Sequence, residues 1–448
     1  ESDIKDYYKD RNAVFDITFV EESDSSRTSN AINEMKNILG DKGCYVGMAV
    51  QNKSMTESMA SEMSKILVVA VIMIFAVLSV TTTAWTEPIL FLLVMGVAVL
   101  LNKGTNIFIG TVSFLTENVS IILQLATSMD YSIFLLDAFM NYRKQGMNEE
   151  DAIINAVQEA INSIFASSLT TVVGFLALVT MKFSIGFDLG LVLAKGIVFS
   201  LLTVVFFMPA MILKFAKLNE KTKHRSFMPD FHGLGKVIYR IRPIVFAVIV
   251  LVTPLAYTAQ GLNDFLYGND SMGASEGTQV YEDDQEITKI FGRSNMLLAL
   301  YPNTSEVNER AMAKEIKDLS YVKSVTALAD TLPEGIPEEF LPKSTVELLH
   351  KGGYCRMLIY TRTKTESAEA FKDSDAIQEI VKKYYPDGSY LVGETPSTQD
   401  IKSFIVKDYE NVNVLSLAGV FLVVMMSFKS AVMPILVIIP IEVAIFIN

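Results

Sequence analysis

Long uninterrupted apolar runs dominate this chain of 448 residues, half of which are hydrophobic. A helix needs about 20 apolar residues to cross about 30 Å of hydrocarbon, and a membrane β-strand would show an alternation that these runs lack. Each helix also satisfies its own backbone hydrogen bonds in lipid. The sequence therefore predicts a polytopic α-helical membrane protein, with spans at 65–82, 88–102, 117–139, 162–181, 188–213, 243–261, 410–428 and 433–448.

A basic segment at 214–242 sets the orientation, because it holds eight Lys and Arg residues against Glu220 and Asp230. Basic loops lie preferentially on the cytoplasmic side. Counting spans from this linker places 263–408 outside, as expected for a multi-pass membrane protein with large extracytoplasmic domains. That outer segment carries 25 Asp and Glu against 16 Lys and Arg, which argues against nucleic acid as a partner.

The outer segment 263–408 alternates between strand and helix patterns. Its predicted elements are strands at 295–301, 322–328, 356–361 and 390–392 and helices at 306–319 and 368–384. Two successive βαβ-type units predict a ferredoxin-like α+β arrangement. The N-terminal piece repeats the second unit, with a helix at 29–39 between strands at 14–20 and 44–50.

One predicted span, 117–139, carries a carboxylate at its middle: Asp130, followed by Tyr131. A charge at bilayer depth costs at least about 2.5–3.5 kcal/mol on insertion scales, and such residues commonly mark ion or proton routes. Adjacent helical residues point about 100° apart, so the Tyr131 hydroxyl is better placed to bond an Asp of a neighbouring helix than its own neighbour. The alternatives are a hydrogen-bonded Asp130 that fixes helix packing and a Tyr131 that fills space.

Three further residues are candidates for the same relay. Lys195 lies inside the predicted span 188–213, where it could be a counter-ion to Asp130 or could snorkel to the outer interface. Ser167 and Thr170 lie on one face of the span 162–181. Small and hydroxyl residues at that spacing are typical of helix packing, with a water-wire contribution as the alternative.

Two apolar segments, 88–102 and 434–448, align with each other at a constant offset of 346 residues. Duplicated halves are a common construction in transporters. The same offset places a second Asp-Tyr position beyond residue 448, so we expect the chain to be a fragment that holds one half-site.

Enzyme signatures are missing from the sequence, which has no HExxH, no GxSxG and no P-loop. The histidines His224, His232 and His350 show no metal-ligand spacing. The cysteines Cys44 and Cys355 make no disulfide framework, and we expect them to be unpaired, with a bridge between them as the alternative. The sequence therefore predicts no enzyme activity, no cofactor and no metal, and ATP is not expected to supply energy within this chain.

Four stretches together support a family resemblance. They are Ser-Met-Asp-Tyr-Ser-Ile-Phe-Leu-Leu at 128–136, Ile-Phe-Ala-Ser-Ser-Leu-Thr-Thr-Val-Val-Gly-Phe at 164–175, Gly-Leu-Val-Leu-Ala-Lys-Gly at 190–196 and Met-Pro-Ala at 208–210. With them the chain resembles, over nearly its whole length, the MMPL branch of the resistance-nodulation-division (RND) superfamily.

The resemblance implies RND-like duplicated halves of six spans, each with a porter-type outer domain after its first span. On that template the chain divides into the end of the first outer domain (1–58), first-repeat helices (59–213), the cytoplasmic linker (214–242), one helix (243–262), the second outer domain (263–408) and the start of the second-repeat helices (409–448).

The resemblance also implies a function and a location: export of lipids or other hydrophobic compounds across the bacterial cell membrane, driven by proton influx through paired Asp-Tyr motifs. Asp130 would carry the proton and Tyr131 would be its partner. The expected partners are protons, a hydrophobic or lipid-like substrate and membrane lipids. Two alternatives stay open, a non-transporting lipid sensor or membrane assembly scaffold and a protein-translocation motor of the Sec type. An intact second Asp-Tyr pair would favour transport over the sensor.

Overall fold

The computed structural model describes residues 7–225, 227, 233–260, 262, 265, 267–268, 276–292, 294–332, 340 and 343–447. Asp230 of the predicted basic linker and His232 lie outside the described residues. The chain divides into two compact units. We name them the sheet unit, Glu1–Ser61 with Phe265–Ser403, and the helical unit, Glu62–Asp264 with Phe404–Asn448.

The described helices are, in chain order, α1 (Ser26–Leu39), α2 (Met48–Thr81), α3 (Thr86–Gly104), α4 (Phe114–Lys144), α5 (Glu149–Leu178), α6 (Ser184–Leu202), α7 (Met208–Lys221), α8 (Leu234–Gln260), α9 (Gln279–Phe291), α10 (Glu306–Lys317), α11 (Leu328–Thr331), α12 (Lys343–Leu349), α13 (Ala368–Tyr384), α14 (Glu394–Phe428) and α15 (Val432–Ile447). The strands are β1 (Tyr8–Lys9), β2 (Asn12–Ala13), β3 (Asn295–Pro302), β4 (Val322–Thr326), β5 (His350–Lys351), β6 (Tyr354–Thr361) and β7 (Tyr390–Gly393).

Seven helical segments in the described part of the chain are long and apolar enough to cross a membrane. They are α2, α3 with the short turn after it, α4, α5, the continuous pair α6–α7, α8 and α14. A π-helical segment, Thr203–Phe207, joins α6 to α7. The eighth predicted span corresponds to the shorter apolar helix α15. The polytopic helical character predicted from the apolar runs is thereby confirmed.

The core of the helical unit forms where α3, α4, α5, α6 and α7 pack together. Phe91, Leu135, Ile197 and Met208 are almost fully buried in it. Helix α14 packs against α5, since a methyl group added at Gly419 would meet the Val173 side chain at 2.3 Å. This close approach fixes α14 along the face of α5 that faces away from the core.

The 346-residue repeat is also present in the helix boundaries. Helix α14 begins at Glu394, 346 residues after α2 begins at Met48, and α15 begins at Val432, 346 residues after Thr86 of α3. Helices α2 and α14 have nearly equal lengths, 34 and 35 residues. The offset read from the apolar segments therefore also relates a pair of long helices whose sequences differ.

In the sheet unit, β3, β4, β6 and β7 form an antiparallel sheet of order β4-β6-β3-β7, and β5 pairs with β6. Alternate residues of β3 and β6 are buried, as the period of two in their sequences requires. Helices α10 and α13 contribute Met312, Ile316, Ile377 and Val381 to the same core. This strand order, with one helix after β3 and one after β6, is the split βαβ arrangement.

Two strand predictions near the N-terminus are wrong. Residues 14–20 form no strand, and Phe15 and Val20 are exposed, because no described residue pairs with this segment beyond the short β1–β2 hairpin. Residues 44–50 form no strand either. Gly47 adopts a φ of +116°, which turns the chain, and α2 begins at the next residue. The predicted helix between them is present as α1.

Candidate functional site

Asp130 lies near the middle of α4 and is exposed. It shares that exposed face with Leu123, Phe134 and Asp137, which recur at the spacing of one side of a helix. Among the described residues, no hydrogen bond or ion pair to the Asp130 carboxylate is formed. The structure therefore places this intramembrane carboxylate on the side of α4 that faces away from the packed core.

Tyr131 lies on the other side of α4 and is only 3% exposed. It belongs to the apolar core together with Leu135, Ala160 and Ile164. No hydrogen bond joins Tyr131 to Asp130 within the described chain, as expected from the angle of about 100° between adjacent helical residues. The two residues of the predicted pair therefore occupy different environments on one helix.

Buried amides connect three helices close to Asp130. The Asn102 side-chain NH₂ of α3 donates to Gln124 Oε1 of α4 at 3.0 Å, and the Gln124 NH₂ donates to the Gly196 carbonyl of α6 at 3.0 Å. A methyl group at Gly196 would lie 2.8 Å from Asn102 Nδ2, so glycine is what lets the three helices approach. We name Asn102, Gln124 and Gly196 the amide bridge.

A pair of serines continues the polar contacts along α4. Ser128 and Ser200 are buried, with their hydroxyl oxygens 2.6 Å apart, and Ser200 also donates to the Gly196 carbonyl. Ser132 donates back to the Ser128 carbonyl. Hydroxyl and amide contacts of this kind join helices in lipid, where unpaired polar groups are costly. They fix the rotation of α4 and, with it, the direction in which Asp130 points.

Lys195 is not a counter-ion to Asp130 in this structure. Its ammonium donates to the Asn102 carbonyl at 2.9 Å and to Asn106 Oδ1 at 2.6 Å. Asn102 lies in the last turn of α3 and Asn106 in the 3₁₀ turn Thr105–Phe108 that follows it, so the ammonium is held by one backbone carbonyl and one side-chain amide. Lys195 is held by that helix end, and the relay prediction for it loses its direct geometric support.

Ser167 and Thr170 lie on α5, and the Thr170 hydroxyl is turned towards its own backbone. Thr170 donates to the carbonyls of Ala166 and Ser167, and Thr171 donates to the Ser167 carbonyl. One turn further along, Gly174 lies against Ser416 of α14, whose oxygen would be 3.6 Å from an added methyl group. These contacts agree with a packing role for this face of α5, and none of them reaches Asp130.

The sequence reading missed the amide bridge, although a signal for part of it was present. Gln124, Ser128 and Ser132 are spaced by four residues, which places them on one helical face within an apolar run. Their partners Asn102 and Gly196 come from other helices, and no spacing rule connects them. Chemically, the site combines neutral, internally bonded groups inside the bundle with the exposed carboxylates of Asp130 and Asp137 on the outer face of α4.

Comparison with known proteins adds a family to this geometry. The MMPL family profile matches residues 9–240 and 293–448. The chain belongs to the MMPL family. Together with the seven apolar helices, this makes it a multi-pass membrane protein.

Several relatives match parts of the chain. The "Putative membrane protein MJ1562" of Methanocaldococcus jannaschii is 39% identical over 89 residues, 20% of this chain and 23% of that protein. The "Probable transport protein MmpL9" of Mycobacterium tuberculosis is 25% identical over 290 residues, 61% and 29% respectively. The "Membrane protein YdfJ" of Bacillus subtilis is 24% identical over 309 residues, 62% and 42% respectively. The chain thus spans less than half the length of these relatives.

A solved structure shares the fold. The crystal structure of SecDF, a translocon-associated membrane protein from Thermus thermophilus, superposes with a TM-score of 0.51 at 12% identity, covering 87% of this chain and 46% of that one. At this identity the likeness concerns the arrangement of helices and strands alone.

Proposed function

We propose that this chain is part of a proton-driven exporter of lipids or other hydrophobic compounds, in which Asp130 carries the proton. The observation that carries the proposal is the exposed Asp130 carboxylate in the middle of α4, on the face opposite to the packed core. Family membership supports it, and so does the name of the mycobacterial relative, a probable transport protein.

An exposed intramembrane carboxylate requires a physical account. Left to face lipid as an anion it would be costly, so it is expected to face water or another protein surface and to change its protonation state there. A proton that crosses a membrane potential of about 100 mV releases about 2.3 kcal/mol, and a carboxyl group that binds and releases that proton can couple the energy to a conformational change. Asp130 has the chemistry and the position for this role.

The neutral contacts of α4 have a complementary part in the proposal. The amide bridge and the Ser128–Ser200 pair are satisfied inside the bundle, and Lys195 is held by Asn102 and Asn106. None of these groups has to change its charge for the helix to stay in place. We infer that they orient Asp130 and that the proton step itself belongs to the carboxylate.

The decisive experiment uses the full-length protein in proteoliposomes under an imposed pH gradient, with a pH-sensitive dye inside and a fluorescent phospholipid analogue as the transport probe. Asp130→Asn removes the titratable group with little change in size. We expect proton flux and probe export to fall to the level of protein-free liposomes, while size-exclusion and circular-dichroism profiles match the wild type.

Asp137→Asn is the matched control, because Asp137 lies two turns along on the same exposed face of α4. We expect it to retain transport. Equal loss in both variants would assign the effect to the acidity of the face and not to Asp130. Full activity of Asp130→Asn would contradict the proposal and favour a lipid sensor or assembly scaffold on this architecture.

Tyr131→Phe tests the second member of the pair. Tyr131 is buried among apolar side chains, so removing only its hydroxyl leaves the packing of the core in place. If the hydroxyl takes part in the relay, proton flux should fall at least about tenfold, the scale on which single proton-transfer groups act. Unchanged flux would assign Tyr131 to packing.

A further inference from the structure

Away from the membrane helices, the core of the sheet unit contains three side chains with metal-ligating atoms. Glu309, His350 and Cys355 each offer one such atom, and these atoms all lie within 4.8 Å of one another. The exposed fractions of the three residues are 1%, 9% and 1%. His350 Nε2 lies 3.2 Å from Glu309 Oε2. The cluster is therefore compact and almost wholly removed from solvent.

The sequence of the β5–β6 hairpin explains how two of these residues meet. Gly352 and Gly353 both adopt positive φ, +63° and +80°, which a two-residue hairpin turn with the twist of the strands requires. This turn fixes the register, in which Lys351 pairs with Tyr354 and His350 with Cys355. Directly opposite residues on paired strands project to the same face of the sheet. The imidazole and the thiol are thereby brought side by side.

His350 and Cys355 form a row across the sheet, and a third strand adds an oxygen atom to this row. On the other side of β6, Tyr301 of β3 is the partner of Cys355 in the register, so its phenol projects to the same face. Tyr301 is fully buried, and its hydroxyl lies near Glu309 without a hydrogen bond of normal geometry. A buried polar atom in that state calls for an explanation.

Glu309 approaches this row from helix α10. Ser305 caps the helix by accepting the backbone N–H of Asn308, which places Glu309 in the first turns of α10, above the sheet. One carboxylate oxygen accepts the backbone N–H of Ala329 at 3.1 Å, and the other faces His350. The carboxylate is thus held in a fixed orientation with one oxygen directed at the row.

The simpler account is a buried carboxylate surrounded by hydrogen-bond donors, because Glu309 contacts His350 and also interacts with the Cys355 thiol. That account does not explain the buried Tyr301 hydroxyl, which has no hydrogen bond of normal geometry. Carboxylate, imidazole and thiolate together are a donor set that zinc accepts in proteins. The presence of all three kinds of donor at one point favours a bound metal ion over a hydrogen-bonded carboxylate alone.

We propose that Glu309, His350 and Cys355 bind one Zn²⁺ ion in the core of the sheet unit. On binding, the Cys355 thiol and the His350 imidazolium of the ion pair each give one proton to solvent, and the thiolate sulfur and the neutral imidazole bond the metal. The two negative ligands balance the charge of the ion, so the buried site is electrically neutral as a whole. A neutral site avoids the large cost of leaving a net charge in a core.

The distances allow this with a small rearrangement. Tetrahedral zinc with bonds of about 2.0–2.3 Å separates its ligand atoms by about 3.3–3.7 Å. The Glu309–His350 pair, at 3.2 Å, is close to the lower end of that spacing, and the thiol has to approach by about 1 Å at most. The Tyr301 hydroxyl is an oxygen donor beside the site that can support a fourth ligand. The ion would join the β5–β6 hairpin to α10 and act as a structural clip.

Cobalt gives the direct test, because a thiolate bound to Co²⁺ produces an intense near-ultraviolet charge-transfer band. The full chain is purified in detergent, stripped with a chelator and titrated with Co²⁺ and then Zn²⁺. We expect one Co²⁺ per chain, the charge-transfer band, and loss of the band when Zn²⁺ displaces the cobalt. Elemental analysis of the zinc-treated protein should give one zinc per chain.

Cys44→Ser is the matched control for Cys355→Ser, because these are the two cysteines of the chain. Partial burial, together with the carboxylates of Asp283 and Glu286, raises the pKa of the Cys44 thiol to about 11, so it is a poor metal ligand near neutral pH. We expect Cys44→Ser to keep the band and Cys355→Ser to lose it. His350→Gln should weaken Co²⁺ binding at least about tenfold.

Absence of the band in the wild type would overturn the proposal and leave the cluster as a buried ion pair. A band that survives in Cys355→Ser and disappears in Cys44→Ser would overturn it as well. The wild-type titration tests for the metal site without any substitution, so misfolding of a variant does not change its outcome. Hydrogen exchange of the β3 and β6 amides in chelator, unchanged from wild type, confirms that a variant is folded.

Discussion

The helical unit and the sheet unit treat one carboxylate each in opposite ways. In the helical unit Asp130 is exposed, and the buried amides that bond across helices are neutral. In the sheet unit a carboxylate, Glu309, is fully buried. The helical unit also buries two carboxylates, Glu87 and Asp408, and backbone N–H groups donate to both of them. A carboxylate is therefore buried in either unit where donors reach it, and Asp130 has no such donors among the described residues.

The difference follows from what surrounds each group. Burial alone would raise the pKa of Glu309, but hydrogen bonds from His350 and from the Ala329 backbone hold it below its usual range, so the buried group stays ionised. Neutral amides in the helical unit need only one or two partners, which neighbouring helices supply. A carboxylate needs several donors, and α4 offers none to Asp130 within the described chain. A buried ion is stable only where the fold builds the donors around it.

Among the tests of this comparison, we expect the largest loss of stability from removing the buried charge of the sheet unit. Glu309→Ala leaves His350 and the Ala329 N–H without their partner, and breaking such a buried pair costs about 3–5 kcal/mol. The measurement is hydrogen exchange of the β3 and β6 amides in the presence of chelator, which reports the free energy of opening this sheet. Chelator keeps metal binding out of the comparison.

Glu306→Ala is the control on the same helix. Glu306 is exposed and pairs with Arg310 one turn along, an arrangement worth about 0–1 kcal/mol. If Glu309→Ala were no more harmful than Glu306→Ala, the buried carboxylate would not stabilise the sheet unit, and the contrast between the two units would lose its energetic basis.

An intermediate effect is expected from the neutral contacts of the helical unit. The added methyl of Gly196→Ala would lie 2.8 Å from Asn102 Nδ2, so the amide bridge has to open. Leaving a buried amide unpaired costs about 1–3 kcal/mol. Thermal unfolding in detergent, followed by circular dichroism, should show a lower midpoint than the wild type.

Gly96→Ala provides the matched control within the same bundle. An added methyl at Gly96 meets no described atom within 4 Å, and replacing glycine by alanine inside a helix is favourable by about 0.5–1 kcal/mol. The two variants should therefore shift the midpoint in opposite directions. Equal shifts would show that close helix approach at Gly196 is not what holds α3, α4 and α6 together.

The smallest effect is expected at the surface of the sheet unit, where Glu315 accepts hydrogen bonds from Lys383 and Tyr384. These hydrogen bonds lower the pKa of Glu315. A carboxyl group with a lowered pKa contributes stability above its unfolded value of about 4.3, and the contribution disappears as pH falls through the folded value. Lys383→Ala should therefore lower the unfolding midpoint slightly at neutral pH and not at all below the folded pKa.

Lys382→Ala is the neighbouring control, because Lys382 is exposed on the same last turn of α13. The comparison is made by thermal unfolding at neutral and acidic pH. A Lys383→Ala effect as large as that of Glu309→Ala would contradict the view that burial, and not charge alone, sets the strength of these contacts.

Much of the fold follows from sequence periodicity. The strand predicted at 295–301 is β3, and the helix predicted at 368–384 is α13, because both segments bury one face and their apolar residues recur with the matching period. Segment 14–20 has an apolar composition as well, yet it forms no strand. A strand depends on a partner for its backbone hydrogen bonds, and composition does not reveal whether that partner is present.

The sites were predictable to different degrees. Asp130 stands out in the sequence because a carboxylate in an apolar run is costly anywhere in lipid, so its signal is local. The amide bridge and the Glu309 cluster are tertiary, since their members lie far apart in sequence. His350 shows no metal spacing along the chain, and only the glycine turn and the strand register bring Cys355 opposite it. The expectation of no metal rested on spacing alone.

The continuous pair α6–α7 has a consequence for depth in the membrane. Its 38 residues form a rod about 57 Å long at 1.5 Å per residue, nearly twice the thickness of the hydrocarbon layer. About half of the rod therefore has to stand in headgroups or water. The end with Lys214, Lys217 and Lys221 suits that setting, and the π-helical segment before Pro209 lies where the rod would leave the lipid. The length of this continuous helix therefore indicates where the membrane surface crosses the protein.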